Sequence, residues 1–197
     1  MRWWASLRQA YPTRSALTLA IAVLVVCTVV GGGVLAATAV TFHMTGTEQF
    51  CSNACHDQRH AAVEFKDTVH DKNRTGVRAE CADCHIPKEL VPMLIRKVEA
   101  SREIWGHFTG KIDTEEKYEK HRHAMATREW TRMKKNDSRE CRNCHTVAAM
   151  DPEKQSETAR ARHAKAKAEN TTCIDCHFGI AHTEPDGPGP KELKIAR

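Results

Sequence analysis

Side chains able to build a hydrophobic core are scarce in most of this sequence. Of the 155 residues from His43 to Arg197, only 20 are Leu, Ile, Val or Phe, about 13%. A charged chain below roughly 20% in these residues is not expected to fold on its own side chains. Aromatics do not make up the deficit, because all 197 residues contain only two Tyr, four Trp and five Phe. A self-sufficient protein core is excluded, so this segment is either unfolded or filled by something other than side chains. Charge is what is missing from the other part: Ser15 to Phe42 holds no charged residue at all.

A helix needs about 20 apolar residues to cross a hydrocarbon layer, and Ala16 to Val40 supplies that length with room for tilt. A cleavable leader is the competing reading, and Ala36-Ala37-Thr38-Ala39 resembles a cleavage site, but its apolar region should run only about 7 to 15 residues. The stretch reads as an uncleaved anchor. Arg2, Arg8 and Arg14 precede it without an acid among them, which places the N-terminus in the cytoplasm and the bulk of the chain outside. Trp3, Trp4 and Tyr11 suit the interfacial belt of such an anchor, and Gly31, Gly32 and Gly33 suit close helix approach or bending. Cys27 falls mid-span and reads as an inert small apolar residue.

The other eight cysteines form four pairs: Cys51/Cys55, Cys81/Cys84, Cys141/Cys144 and Cys173/Cys176. Four disulfides would be the default in an exported domain, and two C-x-x-C pairs could build a zinc site. Neither explains why histidine follows every pair at once, as His56, His85, His145 and His177. C-x-x-C-H is the attachment signature of c-type haem. Two thiols on one helical turn reach the two vinyl groups of a porphyrin, and the adjacent imidazole is held over the iron. The first pair has three intervening residues, Ser52, Asn53 and Ala54, which alters its loop without preventing attachment; a Cys51–Cys55 disulfide is the alternative there. Four covalently attached haems would themselves form the missing core. Their eight propionates would take the formal charge from +5 to −3, and four ferric centres would return it to +1, so the basic sequence pI carries no argument for nucleic-acid binding.

The first cysteines of the pairs lie at 51, 81, 141 and 173, and His70 and His163 occupy matched places before the second and fourth pairs. Two dihaem units related by duplication are the economical reading. The expected fold is mainly α with much irregular structure: a cytoplasmic N-terminus (1–14), a transmembrane helix (15–42) and a small multihaem domain (43–182). That domain comprises dihaem units at about 43–86 and 137–182 with a helical connection at 87–136, followed by a flexible tail (183–197). In the connection, Pro87 suits a first helical position, Pro92 weakens the first helix, and Thr114 with Glu115 and Glu116 starts a second one. Bis-histidine ligation would use up to four of the eight remaining histidines. His70 and His163 are favoured by their places in the repeat and His182 by its position after the fourth motif. His107 is a weaker candidate, and His121 and His123 sit in a charge run that suggests solvation.

With these stretches in view, the chain resembles the NapC/NirT family of membrane-anchored tetrahaem cytochromes c, the quinol dehydrogenases of bacterial periplasmic respiration. The likeness rests on the single anchor, the haem order, Ser138-Arg139-Glu140-Cys141-Arg142-Asn143-Cys144-His145, and Thr172-Cys173-Ile174-Asp175-Cys176-His177 with Gly179-Ile180-Ala181-His182. The resemblance implies that His70, His163 and His182 are distal ligands, of the fourth, second and third haems respectively. It implies an inner-membrane protein with a periplasmic haem domain, whose first haem is nearest the membrane and takes electrons from the quinol pool for a periplasmic reductase or cytochrome. Lys97 and Glu103, with Arg102 adjacent, match the quinol-side lysine and carboxylate. One departure stands at that end: relatives commonly carry C-x-x-C-H-x-M, whereas this chain has one more residue between Cys51 and Cys55 and Gln58 in place of methionine. His56 then becomes the proximal ligand of the first haem, with its other face open or taken by His60 or His107. The same haem wire run backwards as a quinone reductase, and a non-enzymatic electron shuttle, are the alternative functions; a homodimer or a stable partner complex is compatible with the single anchor.

Overall fold

The computed structural model describes residues 14–54 and 58–195, in two compact units divided after Thr45. Cys55 and His56 lie outside the described residues, as do Arg2, Trp3, Trp4, Arg8 and Tyr11. The first unit is one helix, α1 (Arg14–Met44), which runs without interruption through Gly31, Gly32 and Gly33. It is long and apolar enough to cross a membrane, and none of its residues is buried. The hydroxyls of Thr28, Thr38 and Thr41 donate to the carbonyls of Leu24, Val34 and Ala37, each at 2.8 Å. Polar side chains in the span are therefore satisfied by the helix that carries them, as hydrocarbon surroundings require.

The second unit has no β-strand among the described residues. Its helices are α2 (Arg59–Phe65), α3 (Cys81–His85), α4 (Leu90–Phe108), α5 (Glu115–Lys135), α6 (Arg139–Arg142) and α7 (Glu157–Ala168), joined by irregular segments and short 3-10 turns. The connection departs from expectation at its start. Pro87 is buried outside the helix, which begins at Leu90 after Glu89. Pro92 then falls in the first turn, where an N–H has no intrahelical partner, so the proline costs no hydrogen bond. At the other end of α4, Gly110 takes φ +70°, and the N–H groups of Gly110 and Lys111 close onto the carbonyls of His107 and Gly106 at 2.9 and 2.8 Å. That left-handed closure stops the helix. Thr114 caps α5 as expected, its hydroxyl accepting from the Lys117 N–H at 3.3 Å, with Glu115 and Glu116 in the first turn and Arg132, Lys134 and Lys135 in the last.

The side-chain core is as small as the composition implies. Trp130, Met133 and Ile174 form one buried cluster, flanked by Ala126, Phe178 and Leu193. Beside it lies a polar knot: Lys134 and Asp175, both 5% exposed, pair at 2.7 Å. Lys134 Nζ also donates to the carbonyls of Pro190 and Leu193, at 2.6 and 2.8 Å. The tail after His182 is thus not a loose end up to Ile195. It folds back, forms a 3-10 turn at Pro190–Glu192, and is held by the Lys134 ammonium and by His123, whose Nε2 lies 3.0 Å from the Pro188 carbonyl. Beyond that turn, where the N–H groups of Glu192 and Leu193 donate to the carbonyls of Gly189 and Pro190, a segment rich in proline and glycine pairs few of its own backbone groups, and donors from α5 satisfy others.

Candidate functional site

The second, third and fourth cysteine motifs are each built on a single turn. The second is α3 itself, capped by reciprocal bonds between Glu80 and Asp83. In the third and fourth motifs, the N–H of His145 donates to Cys141 O and that of His177 to Cys173 O, both at 2.8 Å. Those i,i+4 bonds set the two thiols and the imidazole on one side of a turn. The residues between the thiols hold the turn in place. In the fourth motif, Ile174 enters the apolar cluster and its N–H donates to the buried Ser138 hydroxyl at 3.2 Å. Asp175 accepts from both the N–H and the hydroxyl of Thr172 while pairing with Lys134. Burial alone would raise the Asp175 carboxyl, but Lys134 and Thr172 outweigh it and hold the group below its usual range. The described part of the first motif lies in a wider π-type turn at Phe50–Ala54.

The eight described cysteines are free thiols, and those outside the span follow one another through space. Cys51 and Cys81 share a hydrogen bond that brings the Cys51 thiol down to about 7 and pushes Cys81 up. Cys84 is pushed up to about 11, first by burial and then by Cys141, and Cys141 is raised by burial and by Cys173. First, second, third and fourth motifs are therefore successive neighbours.

Among the described residues, three pairs of histidines face each other, and each of these pairs joins a motif histidine to one outside the motifs. His85 and His182 have ring centroids 6.1 Å apart, His70 and His145 6.2 Å, and His163 and His177 6.1 Å. Metal–imidazole bonds of about 2.0 Å on opposite sides of one atom place two ring centroids about 6 Å apart. Among the described residues, no group of three or more His, Cys, Asp or Glu could hold a bare ion. Two facing imidazoles instead suit an iron whose other four ligands belong to a macrocycle. The second nitrogens agree with this. His85 Nδ1 lies 3.0 Å from Glu129 Oε1, His182 Nδ1 3.1 Å from the Ala61 carbonyl, and His163 Nδ1 2.7 Å from Gln155 Oε1. Each contact commits Nδ1 to donation and leaves the Nε2 lone pair for a metal. Burial, then the charge of His85, brings His182 down to about 4, so it stays neutral and able to ligate at pH 7. Burial likewise lowers His177. The chain's own residues thus fit a haem at the second, third and fourth motifs.

The pairing itself differs from what the resemblance implied. His70 meets the third motif rather than the fourth, His163 the fourth rather than the second, and His182 the second rather than the third. His163 rides on α7, only 14 residues before His177, so its partner is local. His70 and His182 instead cross between the halves, which interlocks the two expected dihaem units. His60 turns to Tyr118, with ring centroids 5.5 Å apart, and lies 3.7 Å from Glu115. His107 packs edge-on against Phe108 at 5.6 Å. His121 lies 2.8 Å from the Lys117 carbonyl, and His123 stacks edge-on with Trp130, so neither is merely solvated.

Lys97, Arg102 and Glu103 all lie on α4, but at about 100° per residue they project in three directions. Lys97 is half-buried and its charge reaches Cys51. Glu103 is half-buried and accepts from Gln58 Nε2 at 3.2 Å. Lys97 is thus turned toward the first motif and Glu103 toward Gln58, two residues beyond it. Arg102 does not join them; it borders an open hollow of about 610 Å³ lined also by Val98, Ile104, Trp105 and Phe108. Two groups that the sequence alone did not single out are Glu129 behind His85 and Gln155 behind His163. Neither lies in a motif, so no local signal marks it.

The family model described as NapC/NirT cytochrome c family, N-terminal region, matches residues 13–187. The denitrification system component NirT of Stutzerimonas stutzeri is 51% identical over 144 residues, covering 73% of this chain and 71% of the relative. The cytochrome c-type protein NapC of Escherichia coli K12 is 46% identical over 187 residues, 94% of this chain and 88% of the relative. The NapC of Haemophilus influenzae is 45% identical over 190 residues, covering 95% and 90%. No solved structure matches the chain.

Proposed function

The chain belongs to the NapC/NirT cytochrome c family, and from that premise we propose that it is a membrane-anchored tetrahaem cytochrome that oxidises quinol and passes the electrons to a periplasmic oxidoreductase. Membership makes it an electron-transport protein with covalent haem c. The number of haems, the ligands and the direction of flow are our reading. The observation that carries it is the set of three histidine pairs, each 6.1–6.2 Å between centroids and each joining a motif histidine to a distant one.

In this reading Cys51/Cys55, Cys81/Cys84, Cys141/Cys144 and Cys173/Cys176 hold four haems, with His56, His85, His145 and His177 as proximal ligands. His182, His70 and His163 complete the second, third and fourth irons. Each haem carries one electron at a time, whereas quinol releases two electrons and two protons. The protons need a base of the protein's own. Glu103 takes that role, held by Gln58 beside the first motif, and Lys97 positions the quinol oxygen. Arg102 faces elsewhere and is assigned to the apolar hollow rather than to the proton path. The succession of neighbouring motifs gives the electron an unbroken route from first to fourth. The N-terminal helix anchors the chain in the inner membrane with the haem unit on the periplasmic side. The relative named as a denitrification system component supports nitrogen-oxide respiration as the setting.

Mass and absorption of the purified protein test the haem count: about four haem masses above the polypeptide are expected, and two or three would overturn it. Quinol-driven haem reduction tests the site. Lys97→Ala and Glu103→Ala should each slow it by at least tenfold with the haem complement unchanged; unaltered rates would remove the proposed quinol site.

A further inference from the structure

Of the paired histidines, three have a hydrogen-bonded Nδ1, and their partners are not equivalent. His182 donates to a backbone carbonyl, His163 meets the neutral amide of Gln155, and His85 alone meets a carboxylate, Glu129. Glu129 is fixed by more than this bond. Arg132 reaches its Oε1 at 2.7 Å and Arg96 its Oε2 at 3.5 Å, while Arg132 also pairs with Glu140 at 2.8 Å and donates to the Cys84 carbonyl at 3.0 Å. Arg96 closes the ring by donating to the carbonyl of His85 itself, at 3.2 Å. Two cations and two carboxylates thus surround the second motif, and the half-buried Glu129 places its negative charge on the imidazole side. An anionic acceptor on a ligating histidine makes the ligand more basic and favours the more positive metal state.

We propose that Glu129 is a redox-tuning residue that lowers the potential of the haem carried by Cys81 and Cys84. This rests on the reading above that His85 and His182 ligate that haem. A lowered second haem passes an electron onward instead of storing it, directly after the site of entry. Arg96 neighbours Lys97 on α4, so the helix assigned to quinol also supports the tuning carboxylate.

Potentiometric titration of the holoprotein, followed by absorption, tests the assignment. Glu129→Gln keeps the shape and the hydrogen bond but removes the charge. One haem of the four should rise at least tenfold in its reduced-to-oxidised ratio at fixed potential, which is 59 mV for a one-electron couple. Glu129→Asp should stay nearer to the parent. Arg96→Gln, which strips a cation from the same carboxylate, should move the same haem the opposite way and keeps the proposal testable if Glu129→Gln assembles poorly. No shift, or a uniform shift of all haems, would overturn it. His182→Ala separates this from the ligand assignment. It should turn one haem high-spin, and in the double variant with Glu129→Gln the displaced potential should belong to that haem. If His182→Ala leaves every haem low-spin, the ligand assignment is what fails.

Discussion

The anchor and the haem unit solve the same problem with opposite materials. α1 has 28 consecutive uncharged residues, no buried side chain and hydroxyls that bond to its own carbonyls. It needs no partner element, because the hydrocarbon layer is its apolar surrounding and the helix satisfies its own backbone. The unit after Thr45 has water for a solvent and a buried apolar cluster of three residues. Its order comes from polar locks around the motifs: Lys134–Asp175, Arg132–Glu129–Glu140 and Arg122–Glu64. Those locks are directional, so they place a motif well. They supply little of the area-driven stabilisation that an ordinary domain of this length relies on. The difference assigns the missing apolar interior to the prosthetic groups.

The largest effect should come from withholding those groups. Replacing the four cysteine pairs by serine should leave α1 inserted in the membrane while residues 46–195 become protease-sensitive and lose most of their helical signal. A compact, resistant haem-free form would break the comparison. Next in size, Asp175→Ala strands a buried ammonium. It should cost about 3–5 kcal/mol, read as a fall in the thermal midpoint of the holoprotein. Lys134→Met combined with Asp175→Leu should recover most of that loss, although the Pro190 and Leu193 carbonyls would still lack their donor.

A smaller change is expected at Glu64, which accepts from the Arg122 guanidinium and from the Thr183 N–H at 3.0 Å. Burial pushes its carboxyl up, but those two donors pull harder and leave it below the usual range. A carboxylate depressed in the folded state stabilises above its unfolded pKa, and that contribution disappears as pH falls through the depressed value. Glu64→Gln should therefore cost about 1.5–3 kcal/mol at pH 7. The gap between variant and parent should close below about pH 4, the ordinary range of a Glu carboxyl; a gap constant with pH would contradict the linkage. The smallest effect belongs to the anchor. Thr28→Val, which removes only a self-satisfied hydroxyl, should stay within about 0.5 kcal/mol, with unchanged helicity in detergent.

Much of the site was legible because its chemistry is local. A thiol, two residues, a second thiol and a histidine form one turn at the second, third and fourth motifs, and that turn is written in the sequence. The Thr114 cap and the apolar span are legible for the same reason. The start of α4 was not: Pro87 has the right backbone angle for a first helical residue but is buried in the loop before Leu90. The bonds that hold the tail are not legible there either, because proline and glycine report on what a segment does by itself, and Lys134 lies 56 residues upstream of Pro190.

The sequence by itself determined the apolar span, the four cysteine–histidine motifs and the shortage of apolar side chains, which follow from composition or from spacing within a few residues, and it carried the stretches by which the chain resembles its family. Only the tertiary structure decided which distant histidine faces which motif, that Arg102 parts from Lys97 and Glu103, and that His85, of the described paired histidines, is the one whose Nδ1 meets a carboxylate. Those are contacts between residues up to 97 positions apart. Local propensity carries no record of them, because a histidine on a loop or a glutamate on a charged helix reads the same whether it meets an imidazole or water.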